Sequence, residues 1–225
     1  MRFGGTCTHS GIRGILKSYK DNRGVSNFPP PVAKYIYDIL LKENSSVFDF
    51  CSGFGGRMLG ALSSSNVIKY VGIDALKENC DGVEKMAIDL NSDNKEIKII
   101  NDVAENAINH INDKFDMVFT SPPYFDNEIY SRNDINQSCC KYNKYGDWFN
   151  LWLLPLIEKS FDKLKEGGYL VLSLGKDSSG RDITEDIKAR LKYNLVRTFL
   201  MQTGVNEYLR KKETKKYFPI LVYQK

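Results

Sequence analysis

Apolar residues along this chain recur in two rhythms that take turns. Short apolar runs of strand length, SVFDF (46–50), KYVGID (69–74), EIKIIND (96–102), FDMVFT (115–120) and GGYLVLSLG (167–175), are bounded by glycine, asparagine, aspartate or proline. Between them lie stretches with apolar residues near helical spacing: GRMLGAL (56–62), ALKENCDGVEKMAIDL (75–90), AENAINHI (104–111) and DWFNLWLLPLIEKSFDKLKE (147–166), the last expected to kink at Pro155. A further helix is expected at DITEDIKARLKY (182–193), and FPPPVAKYIYDILLKEN (28–44) opens with prolines and continues with Val32, Ile36, Ile39 and Leu40 at helical spacing. NLVRTFLMQ (194–202) and KYFPILVYQ (216–224) close the chain as two strands close enough to pair antiparallel at one edge. Strands that alternate with helices imply βαβ units, so the expected fold is α/β: a doubly wound, mainly parallel seven-stranded sheet with an antiparallel C-terminal pair.

Length and composition narrow this only slightly. The 225 residues suit one domain, 42% apolar residues suffice for a sizeable core, and a net charge of +4 permits nucleic-acid binding without arguing for it. The glycine-punctuated stretch 1–26 reads as a flexible arm and 27–225 as a single domain with a long polar loop at 125–146. There is no long apolar run and no leader-like core near the start, so no membrane partner and a cytoplasmic location are expected. The five cysteines, Cys7, Cys51, Cys80, Cys139 and Cys140, form no C-x-x-C pair, which speaks against a zinc site or a disulfide framework. No metal is expected.

In a doubly wound sheet ligands bind at the carboxyl ends of the strands, so the strand ends carry the chemistry. The first ends in DFCSGFGGR (49–57), whose glycines permit either close approach to a ligand or merely a tight turn into a helix; it is neither G-x-G-x-x-G nor a P-loop. The second ends at Asp74, placed to accept from a ribose diol or to cap the next helix. The third ends at Asp102, placed to accept from an adenine amino group or to cap. The fourth ends in Ser121-Pro122-Pro123-Tyr124, either a stiff turn or a rigid acceptor beside an aromatic plate.

Taken together these strand ends resemble the S-adenosylmethionine-dependent DNA amino-methyltransferases, whose tetrapeptide is Asp/Asn/Ser-Pro-Pro-Tyr/Phe/Trp. The resemblance covers about residues 27–175, and NFPPPVAKYI (27–36) is similar to the helix that helps those enzymes hold the methionine end of the cofactor. It implies a Rossmann-like methyltransferase fold and S-adenosylmethionine as cofactor, with Asn27, Phe28, Asp49, Cys51, Gly53, Gly55, Asp74 and Asp102 as its binding residues. It also implies Ser121, Pro122, Pro123 and Tyr124 as the catalytic residues, and a serine at the first position tilts the substrate from adenine N(6) towards cytosine N(4) of DNA.

The chemistry has a physical reason. A base amine is a poor nucleophile because its lone pair is delocalised; acceptors fixed out of the ring plane, the Ser121 hydroxyl and the Pro122 carbonyl, would let it pyramidalise. Tyr124 would stack on a flipped base, with Phe28 near the sulfonium. Phe125, Tyr130, Arg132 and Lys141 in the adjacent loop are the candidate substrate contacts, and LRKKETKKY (209–217) is a second basic stretch that is either a phosphate contact or a solvated hairpin tip. Cytosine C5 methylation would need a cysteine nucleophile, for which the loop thiols Cys139 and Cys140 lack the proline context. Expected partners are DNA with a flipped base and a homodimer or specificity-providing subunit, since no separate target-recognition domain is evident. RNA or a protein amide as acceptor, and a non-catalytic nucleic-acid-binding subunit, are the alternatives.

Overall fold

A strand buried on both faces can only sit inside a sheet, and β1 (Ser45–Asp49), buried at all five positions, does so. The computed structural model describes residues 27–127, 136–202 and 217–225. It contains β2 (Val67–Asp74), β3 (Glu96–Asn101), β4 (Phe115–Thr120), β5 (Leu164–Ser173), β6 (Asn194–Gln202) and β7 (Tyr217–Gln224) in one seven-stranded sheet of order β3-β2-β1-β4-β5-β7-β6. β1 to β5 pair in parallel, whereas β7 runs antiparallel to both β5 and β6. This is the expected fold, with the C-terminal pair at one edge and β6 outermost.

Helices cover both faces. On one lie α1 (Pro30–Leu40), α2 (Gly56–Ser63) and α3 (Lys77–Leu90), where Ala33, Ile36, Tyr37, Met58 and Val83 pack on Val47, Met117, Phe119 and Val171. On the other lie α4 (Ala104–Ala107), α7 (Leu154–Asp162) and α8 (Ile183–Arg190), where Ile108, Trp148, Leu153, Ile157 and Ile187 pack on Phe48, Val118, Leu170 and Leu172. The one-turn helices α5 (Ser138–Lys141) and α6 (Tyr145–Asp147) precede α7. Among the described residues no helix is long and apolar enough to cross a membrane.

Two local expectations change. Ile39 is 44% exposed, and the buried stripe of α1 runs through Ala33, Ile36 and Tyr37 instead. Tyr37 turns inward because its hydroxyl finds the backbone carbonyl of Arg57 at 3.2 Å and its ring meets Phe119 edge-on. The expected kink at Pro155 is a π-helical turn over Trp148–Leu153; the wide turn comes first, and the proline falls in the first turn of α7, where a missing N–H costs little. Pro219 sits within β7 because β5 pairs only as far as Ile220, leaving one neighbouring strand at that level.

One buried ion pair joins β1 to α2. Asp49 ends β1 with no exposure, and Arg57 in the first turn of α2 is 4% exposed. Asp49 Oδ2 accepts from Arg57 Nε and from the Tyr70 hydroxyl, each at 2.7 Å. Its Oδ1 accepts from Arg57 Nη2 at 3.3 Å and from the Cys51 N–H at 3.2 Å, while Arg57 Nη2 also donates to the Cys51 carbonyl. The carboxylate accepts four hydrogen bonds but its charge is compensated by Arg57 alone, so removing one partner strands the other in the core. Arg57→Met and Asp49→Asn are each expected to cost roughly 3–5 kcal/mol, read as a lower urea midpoint at unchanged slope. A loss below about 1 kcal/mol would show that water reaches the survivor.

Candidate active site

The loop after β1 turns on two glycines in the left-handed region, Gly53 at φ 54° and Gly55 at φ 77°. It rises directly over the end of β2: the Ser52 N–H donates to the Ile73 carbonyl at 2.8 Å, and the Gly53 N–H donates to Asp74 Oδ2 at 3.0 Å. Asp74 Oδ1 accepts from the Leu76 N–H at 2.9 Å and Asn79 Nδ2 at 3.2 Å. The aspartate therefore closes the turn into α3 and braces the glycine loop at once. Burial holds its carboxyl above the usual carboxylate range despite these donors. Asp102 follows on the next strand; its N–H donates to the Asp74 carbonyl at 3.2 Å, and its carboxylate accepts from the Val103 N–H at 2.8 Å and from Asn106.

Asn27 clasps this loop from the side. Its Oδ1 accepts from the Gly56 N–H at 3.0 Å and its Nδ2 donates to the Phe54 carbonyl at 3.3 Å. The approach requires glycine, because a Cβ on Gly56 would lie 2.0 Å from the Phe28 carbonyl oxygen. Over Gly53, by contrast, a Cβ would meet nothing within 4 Å, so bare backbone borders open space. The Ser52 hydroxyl beneath is buried with no partner among the described residues.

β4 lies beside β1 and delivers Ser121 to the same edge of the sheet. Ser121 Oγ is 3.4 Å from the Tyr124 hydroxyl, and Pro122 is buried while Pro123 and Tyr124 are half-buried. The next residue, Phe125, takes φ 54°, a costly conformation for a side-chain-bearing residue, and is held there by packing on Tyr145 and Trp148 at centroid distances of 5.7 and 5.5 Å. Trp148 Nε1 donates to Ser138 Oγ at 3.1 Å, and Trp152 Nε1 donates to Glu105 Oε2 at 3.0 Å.

Four groups expected at the ligand surface are engaged otherwise. Asp49 is sealed in the core by Arg57, Tyr70 and Cys51, below the loop rather than in it. Phe28 is 8% exposed, edge-on to Phe119 with the Arg57 guanidinium 5.5 Å over its ring, so a cation of the protein occupies that face. Phe125 is 8% exposed within the aromatic cluster. Lys141 pairs with Glu105 at 2.8 Å. Burial pushes the Cys51 thiol well up, and burial with Cys140 raises Cys139 to about 11, so neither is a thiolate at neutral pH, and a C5-type nucleophile gains no support. Tyr130, Arg132, the arm 1–26 and residues 209–216 lie outside the described residues. Gly56, Arg57 and Gly175 were not singled out from the sequence: two of them act by having no side chain, which leaves no chemical signature to read.

The family model described as "Conserved hypothetical protein 95" matches residues 32–142. A comparison with curated proteins gives no match. Among solved structures the chain is similar to an rRNA methylase from Streptococcus thermophilus, with a TM-score of 0.57 at 16% identity over 89% of this chain and 99% of that one. It is similar to a Streptococcus mutans protein described as a methyltransferase in complex with SAH, with a TM-score of 0.55 at 15% identity over 89% and 99% of the two chains. A third is TrmN from Thermus thermophilus, with a TM-score of 0.60 at 14% identity over 94% of this chain and 53% of that one. The fold is thus the Rossmann-like fold of these methyltransferases.

Two glycine substitutions separate close approach from mere flexibility. Gly56→Ala must displace the Phe28 carbonyl and the Asn27 side chain and is expected to lower the thermal midpoint by several degrees. Gly82→Ala, inside α3 with nothing within 4 Å, is expected to gain about 0.5–1 kcal/mol. Equal effects from the two would remove the clasp from the account.

Proposed function

We propose that this chain transfers the methyl group of S-adenosylmethionine to an exocyclic amino group of a nucleic-acid base. The supporting observation is one of place: the glycine loop, Asp74 and Ser121-Pro122-Pro123-Tyr124 follow β1, β2 and β4, of which β2 and β4 flank β1 in parallel, and so lie at the carboxyl ends of three neighbouring strands. We place RNA first as acceptor, because the similar Streptococcus thermophilus structure is named as an rRNA methylase. DNA cytosine N(4) is the second reading, favoured by serine at position 121.

The residues fit the cofactor. Bare backbone at Gly53 leaves room for close approach, the buried Ser52 hydroxyl lacks a partner among the described residues, and Asp74 Oδ2 keeps one lone-pair site beyond the three donors on the carboxylate, enough for one hydroxyl of a ribose. When bound, S-adenosylmethionine supplies an electrophilic methyl on a sulfonium. The protein's task is then to make an amine nucleophilic. Either hydroxyl of the Ser121–Tyr124 contact can donate, and with the Ser121 hydroxyl as donor its lone pairs would be left for an amine N–H. The Pro122 carbonyl offers the second acceptor, and the two prolines limit its motion, so little reorganisation accompanies transfer. Tyr124 supplies the ring on which the base would stack, worth about 1–3 kcal/mol.

Incubation with labelled cofactor and separate RNA, DNA and protein pools tests this, followed by mass spectrometry of the labelled nucleosides. Label as an N-methylated base in RNA supports the first reading, and N(4)-methylcytosine in DNA selects the second. Label in protein alone, or in no pool, overturns the proposal. Ser121→Ala is expected to lower kcat roughly 100-fold with cofactor affinity unchanged, whereas Asp74→Ala is expected to weaken cofactor binding by roughly 10-fold or more. Equal losses of both quantities in each variant would contradict these roles.

The raised pKa of Asp74 sets a pH dependence. An acid raised on folding gives stability that is complete below its unfolded value and lost as pH rises through the folded one, so its ionised form is held at a cost at neutral pH. Only that ionised form keeps all its acceptor sites, so that a ribose hydroxyl can donate to it beside the three protein donors. Calorimetry should therefore show cofactor affinity beginning to fall, on acidification, above the ordinary aspartate value of 3.8. Asp74→Asn should abolish that inflection; its survival would assign it to another group.

A further inference from the structure

The loop between β5 and α8 is built onto the Ser-Pro-Pro-Tyr segment. A Cβ at Gly175 would lie 2.6 and 2.8 Å from two ring carbons of Tyr124, so the ring rests against bare backbone. Two residues past Tyr124, the Asp126 carboxylate accepts from the Ser178 N–H at 3.1 Å and from its hydroxyl at 2.5 Å. Asn127 Nδ2 donates to the Lys176 carbonyl at 3.3 Å. Three successive parts of one loop thus grip three positions of the other.

The gripping loop is itself stiff. Lys176 and Asp182 form an antiparallel bridge, and the Ile183 N–H donates to the Gly175 carbonyl at 3.1 Å. The Asp177 carboxylate, 7% exposed, accepts from the Ser179 N–H and the Arg181 N–H at 2.9 Å each and from the Ser179 hydroxyl at 2.7 Å. On its far side the Arg181 guanidinium lies 4.0 Å over Tyr145, whose hydroxyl donates to Asp186. A loop braced from within and from both sides is a fixed reference surface for whatever leans on it.

We infer that Gly175 and Ser178 are positioning residues that set the plane of Tyr124, and with it the pose of the base whose amine faces Ser121. This rests on the function proposed above. The physical reason is room: an ordinary contact needs at least about 3.4 Å, so a methyl group on Gly175 would displace the ring by close to 1 Å, enough to cost up to about 100-fold in rate. Ser178 acts through Asp126, holding the segment that follows the ring.

The test compares Gly175→Ala, Ser178→Ala and Ser178→Thr, using whichever nucleic-acid pool the wild type labels and measuring cofactor affinity by calorimetry. Gly175→Ala should lower kcat about 10–100-fold, and Ser178→Ala about 5–10-fold, the upper part of what one ordinary hydrogen bond contributes. In both, KM for nucleic acid and cofactor affinity should stay within about twofold, because neither residue touches the glycine loop. Ser178→Thr, which keeps hydroxyl and amide, should restore the wild-type rate. Wild-type kcat in Ser178→Ala overturns the inference, as does a fall in kcat matched by cofactor affinity and thermal midpoint. Should Gly175→Ala fail to fold, the two Ser178 variants decide alone. A wild type that binds cofactor but labels neither nucleic acid overturns the functional reading itself, an outcome distinct from any of these.

Discussion

An arginine and an aspartate that meet out of reach of water hold up the glycine loop. Asp49 closes the central strand and Arg57 opens the helix that follows, so their pairing fixes the angle at which chain leaves the sheet and re-enters it as α2. The Cys51 N–H and carbonyl are both drawn into the same network, which pins the base of the loop while its tip at Gly53 stays bare. Burying two charges offers little net stability by itself. Its effect here is geometric: the added hydrogen bonds from Tyr70 and Cys51 leave one arrangement of the loop far better satisfied than any other.

The candidate site follows from how a parallel sheet delivers its ends. Strands running the same way place successive loops at one edge, and short bonds between those loops then fuse them. Gly53 binds Asp74, and Asp102 binds the Asp74 backbone, tying the three left-hand strands together. On the right, the chain after β4 is tied to the chain after β5 through Asp126 and Ser178. The carboxyl ends of these strands thus carry two separately braced halves, one around Asp74 and one around Asp126.

Most of the architecture could be read from residue order, because buried parallel strands are short apolar runs whose ends are marked by glycine, aspartate and proline. β6 runs Asn194–Gln202, as its apolar run indicates, and the four strand-end motifs lie where a doubly wound sheet would put them. What could not be read depends on distance along the chain or on missing atoms. The Asn27 clasp spans 29 residues, and the grip of Ser178 on Asp126 spans 52. Gly175 matters because it has nothing to show. Asp49 looks like a ligand contact in DFCSGFGGR, and only the packing of Tyr70 and Arg57 around it reveals a core residue. Of the residues expected on the buried side of α1, Val32, Ile36 and Leu40 pack on the core while Ile39 is exposed, and Tyr37, whose polar end has a partner inside, is buried although the sequence did not single it out.

The wide turn at Trp148–Leu153 has an implication for how this scaffold can vary. A π turn is one residue more than an α-helix needs, so excising a single position there would leave an ordinary α-helix with Pro155 inside it, one hydrogen bond short and with the proline ring against the preceding turn. Everything upstream would swing by about 100°, one residue's share of a 3.6-residue turn. Tyr145 would leave Arg181 and Asp186, and Phe125 would lose the rings that keep it in its unfavourable conformation. The surplus residue therefore behaves as a register key, so relatives that share the aromatic wall should retain it even where every side chain in the turn has changed.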